Sequence, residues 1–220
     1  MNLQAPFPDP HTGNDRTDRP VAPADCRSRE ELTAVIRAGA EPNWLLFWGH
    51  RPPKTGGVSA SCLSQWWPAP FTADGTRYRT AEHWMMASKA QLFGDEEIHH
   101  QILASDTPAD AKRLGRRVRG YDENTWARVR FELVVRGSVL KFGQHAALLT
   151  FLLATIDRVL VEASPRDNIW GIGISATDAR ATDPDQWRGL NLLGFALMEA
   201  RSRLRREQNG ALTTANGTSP

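Results

Sequence analysis

The chain has 220 residues, of which 40% are hydrophobic and 24% are charged, as is typical of a globular protein with a buried core. Its net charge of +2 is too small to indicate polyanion binding by itself, although it is compatible with a local basic patch. Cys26 and Cys62 offer neither a disulfide framework nor a metal-binding spacing. We therefore expect two free thiols in a cytoplasmic protein, with no signal peptide and no stretch apolar enough to cross a membrane.

Both ends of the chain have a composition that differs from the middle. Residues 1–27 are rich in Pro, Asp, Thr and Gly and show no apolar period, which predicts a disordered N-terminal tail. Residues 207–220 are small and polar and predict a second disordered tail. Between the tails we find neither a linker nor a repeat, so the sequence predicts one domain over residues 28–206.

The first half of the domain alternates helical signals with loop signals. The segment SREE opens with the serine and glutamate of a capping box and predicts a helix. The apolar run NWLLFWGH (residues 43–50) predicts a short strand, and residues 51–78 predict a loop with a turn at ADGT. Thr80 then has the position of an N-cap for a helix over about residues 81–93.

The second half is richer in helical patterns. Residues 95–105 predict a short polar helix, and Thr107 with Pro108 has the signature of another helix start. Residues 122–143 predict an amphipathic helix, and residues 144–155 predict a central helix because they are almost wholly apolar. A strand over 158–164, a loop over 165–175 and a last helix over 189–207 complete the predicted elements. The predicted fold class is therefore mainly α, an α+β arrangement with a few short strands.

Glu82 and Lys89 are the first candidates for chemistry. They lie seven residues apart, about two helical turns, so they share one side of the predicted helix with Met85 and Met86 between them. One interpretation is a partly exposed face without a role. The other is a cleft wall, because a desolvated lysine can act as a nucleophile or base and a nearby glutamate can move its proton.

Three further segments carry polar and aromatic side chains in loops. In VEASPRDNIWGIG, Glu162, Asp167 and Trp170 lie close to Gly171 and Gly173, and the tryptophan either stacks on a ligand or plugs the core. The segment SCLSQWWPAPF suits nucleobase and ribose recognition, or it anchors a loop through its tryptophans. Asn191 begins the last helix and either braces the structure or contacts a ligand.

Two other patterns allow weaker conclusions. The basic run from Lys112 to Arg119 can hold phosphates or nucleic acid, or it can be a solvated helix face. His99 and His100 are adjacent on a predicted helix without a third ligand in view, so no metal site is predicted.

The order of these motifs resembles the NADAR family, also called the YbiA-like family, over residues 44–204. The resemblance is carried by CLSQWWPAPF, YRTAEHWMMASKAQLFGD, AKRLGRRV, VLKFGQHAALLTFLLAT, LVEASPRDNIWGIG and WRGLNLLGFALMEAR. It implies the single compact domain of that family and an N-glycosidase activity without a metal or cofactor. Its substrates would be ADP-ribosylated guanine of nucleic acid or the phosphorylated ribosylamino-pyrimidines of riboflavin biosynthesis. A toxin-type ADP-ribosyltransferase would be the counterpart of the first activity.

The resemblance also assigns roles to residues of this chain. It implies a central catalytic pair of Glu82 and Lys89, with Asp167 beside them. Where the family has Ser-Asn before an aromatic residue, this chain has Ser64 and Gln65, which keeps the amide type. The implied substrate-binding residues are Ser64, Gln65, Trp66, Trp170, Gly171 and Asn191.

Two routes of bond cleavage remain open at this point. In one, Lys89 forms a Schiff base with the opened ribose and Glu82 moves protons, the route that the resemblance favours. In the other, Glu82 or Asp167 directs water at the ribose C1 and the lysine only binds charge. Two other classes of protein also fit the sequence: a non-catalytic module that binds ADP-ribose or nucleotides, and a nucleic-acid binder that uses the basic run.

Overall fold

The computed structural model describes residues 21–216, with side chains as far as residue 211. Within this range, no helix is both long and apolar enough to cross a membrane. The helices are α1 (Arg29–Arg37), α2 (Ala81–Leu92), α3 (Glu96–Ala104), α4 (Pro108–Gly115), α5 (Glu123–Gly143), α6 (Ala146–Leu153) and α7 (Leu192–Asn216), and the strands are β1 (Trp44–Phe47), β2 (Phe71–Ala73), β3 (Thr76–Tyr78) and β4 (Val159–Glu162). The predicted mainly helical class with a few short strands is confirmed.

Helix α2 occupies the centre of the fold. The Thr80 hydroxyl caps it by accepting a hydrogen bond from the backbone N–H of His83, and nine of its twelve residues are buried. Helices α3, α4 and α5 pack around it. Helix α4 comes close because it ends in a glycine: a Cβ on Gly115 would lie 2.1 Å from the Met86 sulfur. A helix that is buried on every side can hold a polar residue only where neighbouring elements supply partners for it.

The four strands form two separate pairs. Strands β2 and β3 are an antiparallel hairpin whose tight turn is made by Asp74 and Gly75, both with positive φ, and this confirms the turn predicted at ADGT. Strands β1 and β4 pair in parallel, with Phe47 opposite Glu162 at their ends. Since the carboxyl ends of parallel strands lie at the same edge, the loops that follow β1 and β4 begin next to each other.

Asn191 joins β4 to the start of α7. Its side-chain oxygen accepts a hydrogen bond from Glu162 N at 2.9 Å, and its side-chain nitrogen donates to the Leu160 carbonyl at 3.0 Å. The residue is fully buried and has a φ of 54°, and its backbone N–H donates to Gly171. It therefore fastens β4, the loop after it and α7 to one another.

The domain boundaries differ from the predicted tails wherever the structure describes them. Pro23–Asp25 form a short 3₁₀-helix, and Cys26 is buried in the core, so the proline-rich composition here belongs to a packed segment. At the other end, α7 continues to Asn216, because extending an existing helix is far easier than starting one. Residues 1–20 and 217–220 lie outside the described part of the chain.

Helix α6 was predicted to be central because of its apolar composition, and this prediction is wrong. Only Leu148 and Leu152 are buried, since the short helix packs on α5 and α7 with one side. Composition alone did not reveal which helix the others surround.

We expect Asn191→Ala to lower the free energy of unfolding by about 2–4 kcal/mol, because two buried backbone groups of β4 would lose their partners. Asn124→Ala, on the exposed surface of α5, is the matched control and should change stability by less than about 0.5 kcal/mol. Urea unfolding of both variants measures the difference. Equal stabilities would show that Asn191 does not fasten β4.

Candidate active site

Glu82 lies in the first turn of α2 and is almost fully buried, with 2% of its surface exposed. Its backbone N–H donates to the carbonyl of Gln65 at 3.1 Å, and its carboxyl group accepts a hydrogen bond from the side chain of Trp66. Within the described part of the chain, its oxygen Oε1 has no hydrogen-bond partner. A buried carboxyl oxygen without a protein partner is rare, and it marks a place where a ligand or water can bind.

Two more carboxyl groups and one lysine surround Glu82. Glu162 ends β4, and its buried Oε2 likewise has no partner among the described residues. Asp167 lies in the next loop, where its Oδ1 accepts hydrogen bonds from the backbone of Ile169 and Trp170 at 3.0 and 2.8 Å. Its other oxygen, Oδ2, lies 3.9 Å from the ammonium group of Lys112 on α4. We call Glu82, Glu162, Asp167 and Lys112 the carboxyl cluster.

The two glutamates of the cluster have strongly altered acidities. Burial raises the pKa of Glu82 to about 7, while Lys112 and the hydrogen bond from Trp66 act in the opposite direction. Burial raises the pKa of Glu162 to about 8, and the charges of Asp167 and Glu82 add to the increase. Both carboxyl groups can therefore gain or lose a proton near neutral pH, which is the requirement for general acid–base chemistry.

Lys89 does not join the carboxyl cluster, so the predicted pocket wall shared with Glu82 is not observed. Its ammonium group donates to the Gly115 carbonyl at 2.9 Å and lies 3.9 Å from the ring centre of Tyr121. Burial lowers the pKa of Lys89, and Glu123 opposes that shift. Although Glu82 and Lys89 share one side of α2, two turns separate them along the helix, and each meets a different neighbour.

The predicted loop residues do lie beside Glu82. Gln65 is buried and contacts the sulfur of Met85 through its amide nitrogen at 3.7 Å, in addition to accepting the backbone bond from Glu82. Ser64 Oγ accepts a hydrogen bond from the backbone N–H of Trp66, which fixes the turn between them. The loop thus reaches Glu82 through both its backbone and an indole.

The remaining predicted residues have mainly structural contacts. Both polar atoms of the Asn191 side chain are engaged by β4, so the bracing interpretation fits and a ligand contact does not. Gly171 permits a close approach between protein segments, since a Cβ there would lie 2.8 Å from the Glu162 carbonyl. Trp170 is partly buried against the core and donates its backbone N–H to Asp167, so it holds that carboxylate in place.

A groove of about 980 Å³ begins at Trp66 and runs along the surface between the β2–β3 hairpin and the start of α4. His50 packs against Trp66 with the ring centres 5.3 Å apart. The groove carries three arginines and one carboxylate: Asp106 pairs with Arg79 at 3.2 Å, whereas no carboxylate within the described residues pairs with Arg51 or Arg77. We call this the arginine groove, and Trp66 belongs both to it and to the surroundings of Glu82.

Lys112 and Glu162 are candidates in the sequence but are not among the predicted catalytic or substrate-binding residues, whereas the structure brings both into the site. Lys112 on α4 and Arg116, which directly follows this helix, are one turn apart and both act on Glu82, whereas Arg113 pairs with Asp110 on the outer surface. Sorting the residues of the basic run by the side of the helix on which they lie would have separated Lys112 and Arg116 from Arg113. Glu162 had a signal as well, since it is a charged residue that ends a wholly apolar strand.

One group of potential metal ligands is present among the described residues. Glu96, His99 and His100 on α3 have ligand atoms within 4.8 Å of one another, so the structure supplies the third ligand that was not visible in the sequence. The Nδ1 atom of His99 is buried without a hydrogen-bond partner in this part of the chain. None of the three residues belongs to the carboxyl cluster.

The chain belongs to a recognised class of proteins. The family model described as the NADAR domain matches residues 46–205, so the chain belongs to the NADAR family. An N-glycosidase of Acanthamoeba polyphaga mimivirus is 41% identical over 144 residues, which cover 63% of this chain and 85% of the relative. The N-glycosidase YbiA of Escherichia coli K12 is 33% identical over 135 residues, which cover 61% and 76%.

A solved structure agrees with this assignment. The NMR structure of E. coli YbiA matches with a TM-score of 0.57 and 27% identity, covering 77% of this chain and 89% of that one. The predicted family is confirmed, and the names of its curated relatives confirm the predicted enzyme class, hydrolases that act on N-glycosyl compounds.

We expect the stability of the protein to depend on pH through the raised pKa of Glu82. Between its ordinary pKa of 4.5 and the raised value of about 7, the folded state keeps a proton that the unfolded chain has released, so stability falls as pH rises. Glu82→Gln removes this loss and should be about 3 kcal/mol more stable than the wild type at about pH 8, with the difference vanishing near pH 4.5.

Urea unfolding at a series of pH values measures this difference. Glu207→Gln changes an exposed carboxyl group on α7 and should follow the wild type throughout. A gain for Glu82→Gln that does not depend on pH would contradict the raised pKa of Glu82.

Proposed function

We propose that this protein is an N-glycosidase that hydrolyses a ribose C1–N bond at the carboxyl cluster. The observation that carries the proposal is the pair of buried glutamate oxygens without protein partners, next to an aspartate and a lysine. Cleavage of the bond builds positive charge on the ribose ring, and a carboxylate close to C1 stabilises that charge. Meanwhile the departing nitrogen must receive a proton, and water must lose one as it bonds to C1.

Glu82 is assigned the proton transfer, because its pKa near 7 lets it donate a proton to the leaving nitrogen and accept one from water. Asp167 is assigned the stabilisation of the ribosyl cation, since its loop holds one oxygen and leaves the other facing the site. We assign the role of the catalytic amine to Lys112, which lies within the cluster, and not to Lys89. Lys112 either binds charge while water attacks C1 or attacks the opened ribose to form a Schiff base.

The proposed substrate is ADP-ribosylated guanine in nucleic acid. The arginine groove supports this choice, because it shares Trp66 with the surroundings of Glu82 and offers an aromatic face and two guanidinium groups without a carboxylate partner among the described residues. Guanidinium groups bind phosphate oxygens in paired hydrogen bonds, and nucleobases stack on aromatic rings. A toxin-type ADP-ribosyltransferase would supply such a substrate. The ribosylamino-pyrimidine 5'-phosphates are the second candidate, since the same groove would take their single phosphate.

Two non-enzymatic alternatives fit the structure less well. A module that only binds ADP-ribose has no use for two buried carboxyl groups that titrate near neutral pH, because burying them costs stability. A nucleic-acid binder built on the basic run would need its arginines free. However, Arg113 pairs with Asp110, and Arg119 pairs with Asp95 and Glu97, which leaves only Arg116 and Arg117 of its four arginines without a carboxylate partner among the described residues.

Hydrolysis assays that offer both substrates side by side should identify the reaction. We expect Glu82→Gln and Lys112→Met each to lose about a hundredfold or more in kcat, because proton transfer and charge compensation act in the transition state. Lys89→Met is the matched control, since it removes a lysine from the same helix bundle without touching the cluster, and it should retain most of the activity.

Borohydride trapping distinguishes the two routes. An adduct on Lys112 would establish the Schiff-base route, and its absence during active turnover would leave water attack. Full activity of Glu82→Gln on both substrates, or an adduct on Lys89, would contradict the assignment of the site.

The arginine groove makes a separate prediction about substrate choice. Arg51→Gln combined with Arg77→Gln should raise KM for an ADP-ribosylated oligonucleotide about tenfold and reduce the salt dependence of binding by about one unit of slope per lost phosphate contact. Turnover of the small pyrimidine substrate should change less. Arg113→Gln removes an arginine that already has a partner and serves as the control. Unchanged salt dependence in the double variant would exclude the groove from substrate binding.

A further inference from the structure

Lys141 is a charged residue buried deep in the fold, with 1% of its surface exposed. It lies on α5, and its ammonium group donates to the carbonyls of Cys62 and Ser64 at 2.6 and 2.8 Å. Within the described part of the chain, no carboxylate lies within ion-pair distance of it. Burial lowers its pKa to about 7. Burying an ammonium group without a counter-ion costs free energy, so the hydrogen bonds that it makes must offset that cost.

The two carbonyls that Lys141 binds belong to the segment that supports Glu82. Directly after Ser64 come Gln65, whose carbonyl accepts the backbone N–H of Glu82, and Trp66, whose indole donates to the Glu82 carboxyl group. The backbone N–H of Trp66 is itself held by Ser64 Oγ at 3.1 Å. Through Ser64, Gln65 and Trp66, Lys141 is therefore connected to both the backbone and the carboxyl group of Glu82.

Gln144 and His145, the two residues that follow α5, hold the other end of this segment, where it enters β2. Gln144 pairs with the backbone of Thr72 in both directions, at 2.9 and 2.8 Å, and His145 contacts the Pro70 carbonyl at 2.8 Å. These contacts fix the far end of the loop, away from Glu82. The end of α5 thus fastens the loop at several points, but only Lys141 binds the end that reaches the carboxyl cluster.

We propose that Lys141 is a positioning residue for the N-glycosidase reaction, which fixes Ser64, Gln65 and Trp66 so that the Trp66 indole stays hydrogen-bonded to Glu82. The inference rests on the proposed role of Glu82. Lys141 touches neither the substrate nor the carboxyl cluster and acts through Trp66. Small displacements of a catalytic group reduce rates strongly, so the loss of this clamp acts on turnover more than on substrate binding.

A double-mutant cycle tests the connection. Lys141→Met keeps the length of the side chain and removes the donor, and it should lower kcat about tenfold to a hundredfold while KM changes less than about threefold. Trp66→Phe should have a comparable effect. The double variant should be hardly worse than either single one, because both act on the same hydrogen bond. The control Gln144→Leu removes the contacts to strand β2 at Thr72, and its effect should multiply with that of Trp66→Phe.

Ser64→Ala is the second variant, in case Lys141→Met does not fold. It removes the hydroxyl that holds Trp66 while leaving the Lys141 contacts intact, so it should lower kcat without changing the urea midpoint and should not add to Trp66→Phe. Wild-type kcat in Ser64→Ala, or multiplicative losses in the Lys141 and Trp66 cycle, would overturn the inference. Glu82→Gln is assayed on the same substrate, and if this variant stays active, the proposed site is wrong. If Glu82→Gln is inactive while the Lys141 and Ser64 variants have normal activity, only the positioning role of Lys141 is rejected.

Discussion

The burial of Glu82 in the first turn of α2 is the constraint on which the rest of the site depends. A carboxyl group without water favours its protonated form, so the position can exist only if nearby dipoles and charges offset part of that cost. The fold provides them from two sides: the Trp66 indole from the loop, and Lys112 from α4 together with Arg116, which directly follows that helix. Each of these elements packs on α2, which explains why the central helix and the candidate site coincide.

The parallel pair β1–β4 brings the remaining groups to the same place. Glu162 is the last residue of β4, and the chain turns at once into the loop that carries Asp167. Asn191 ties this loop to α7, so the position of Asp167 depends on a buried side chain in another element. The site is consequently assembled from distant parts of the chain, each placed by packing and not by local sequence.

Much of the fold could be predicted from local signals. The caps at Ser28, Thr80 and Thr107 were confirmed because capping depends on neighbouring residues alone. The role of α6 was misjudged because burial depends on which faces other elements cover. For Lys89, helical spacing reports the side of α2 on which it lies but not that its ammonium group meets Gly115 and Tyr121. The Lys112–Asp167 contact spans α4 and the loop after β4, and no local pattern reports such a pairing.

The same reasoning explains why Trp66 has a special position in the molecule. Its indole lines the arginine groove and also donates to Glu82, so any movement of the ring changes the environment of the carboxyl group. The hydrogen bond is one of the contributions that lower the pKa of Glu82, and its loss would leave desolvation less opposed. Trp66 therefore belongs to the wall of the groove and to the surroundings of Glu82 at once, and this is why the loop that carries it has to be held in place.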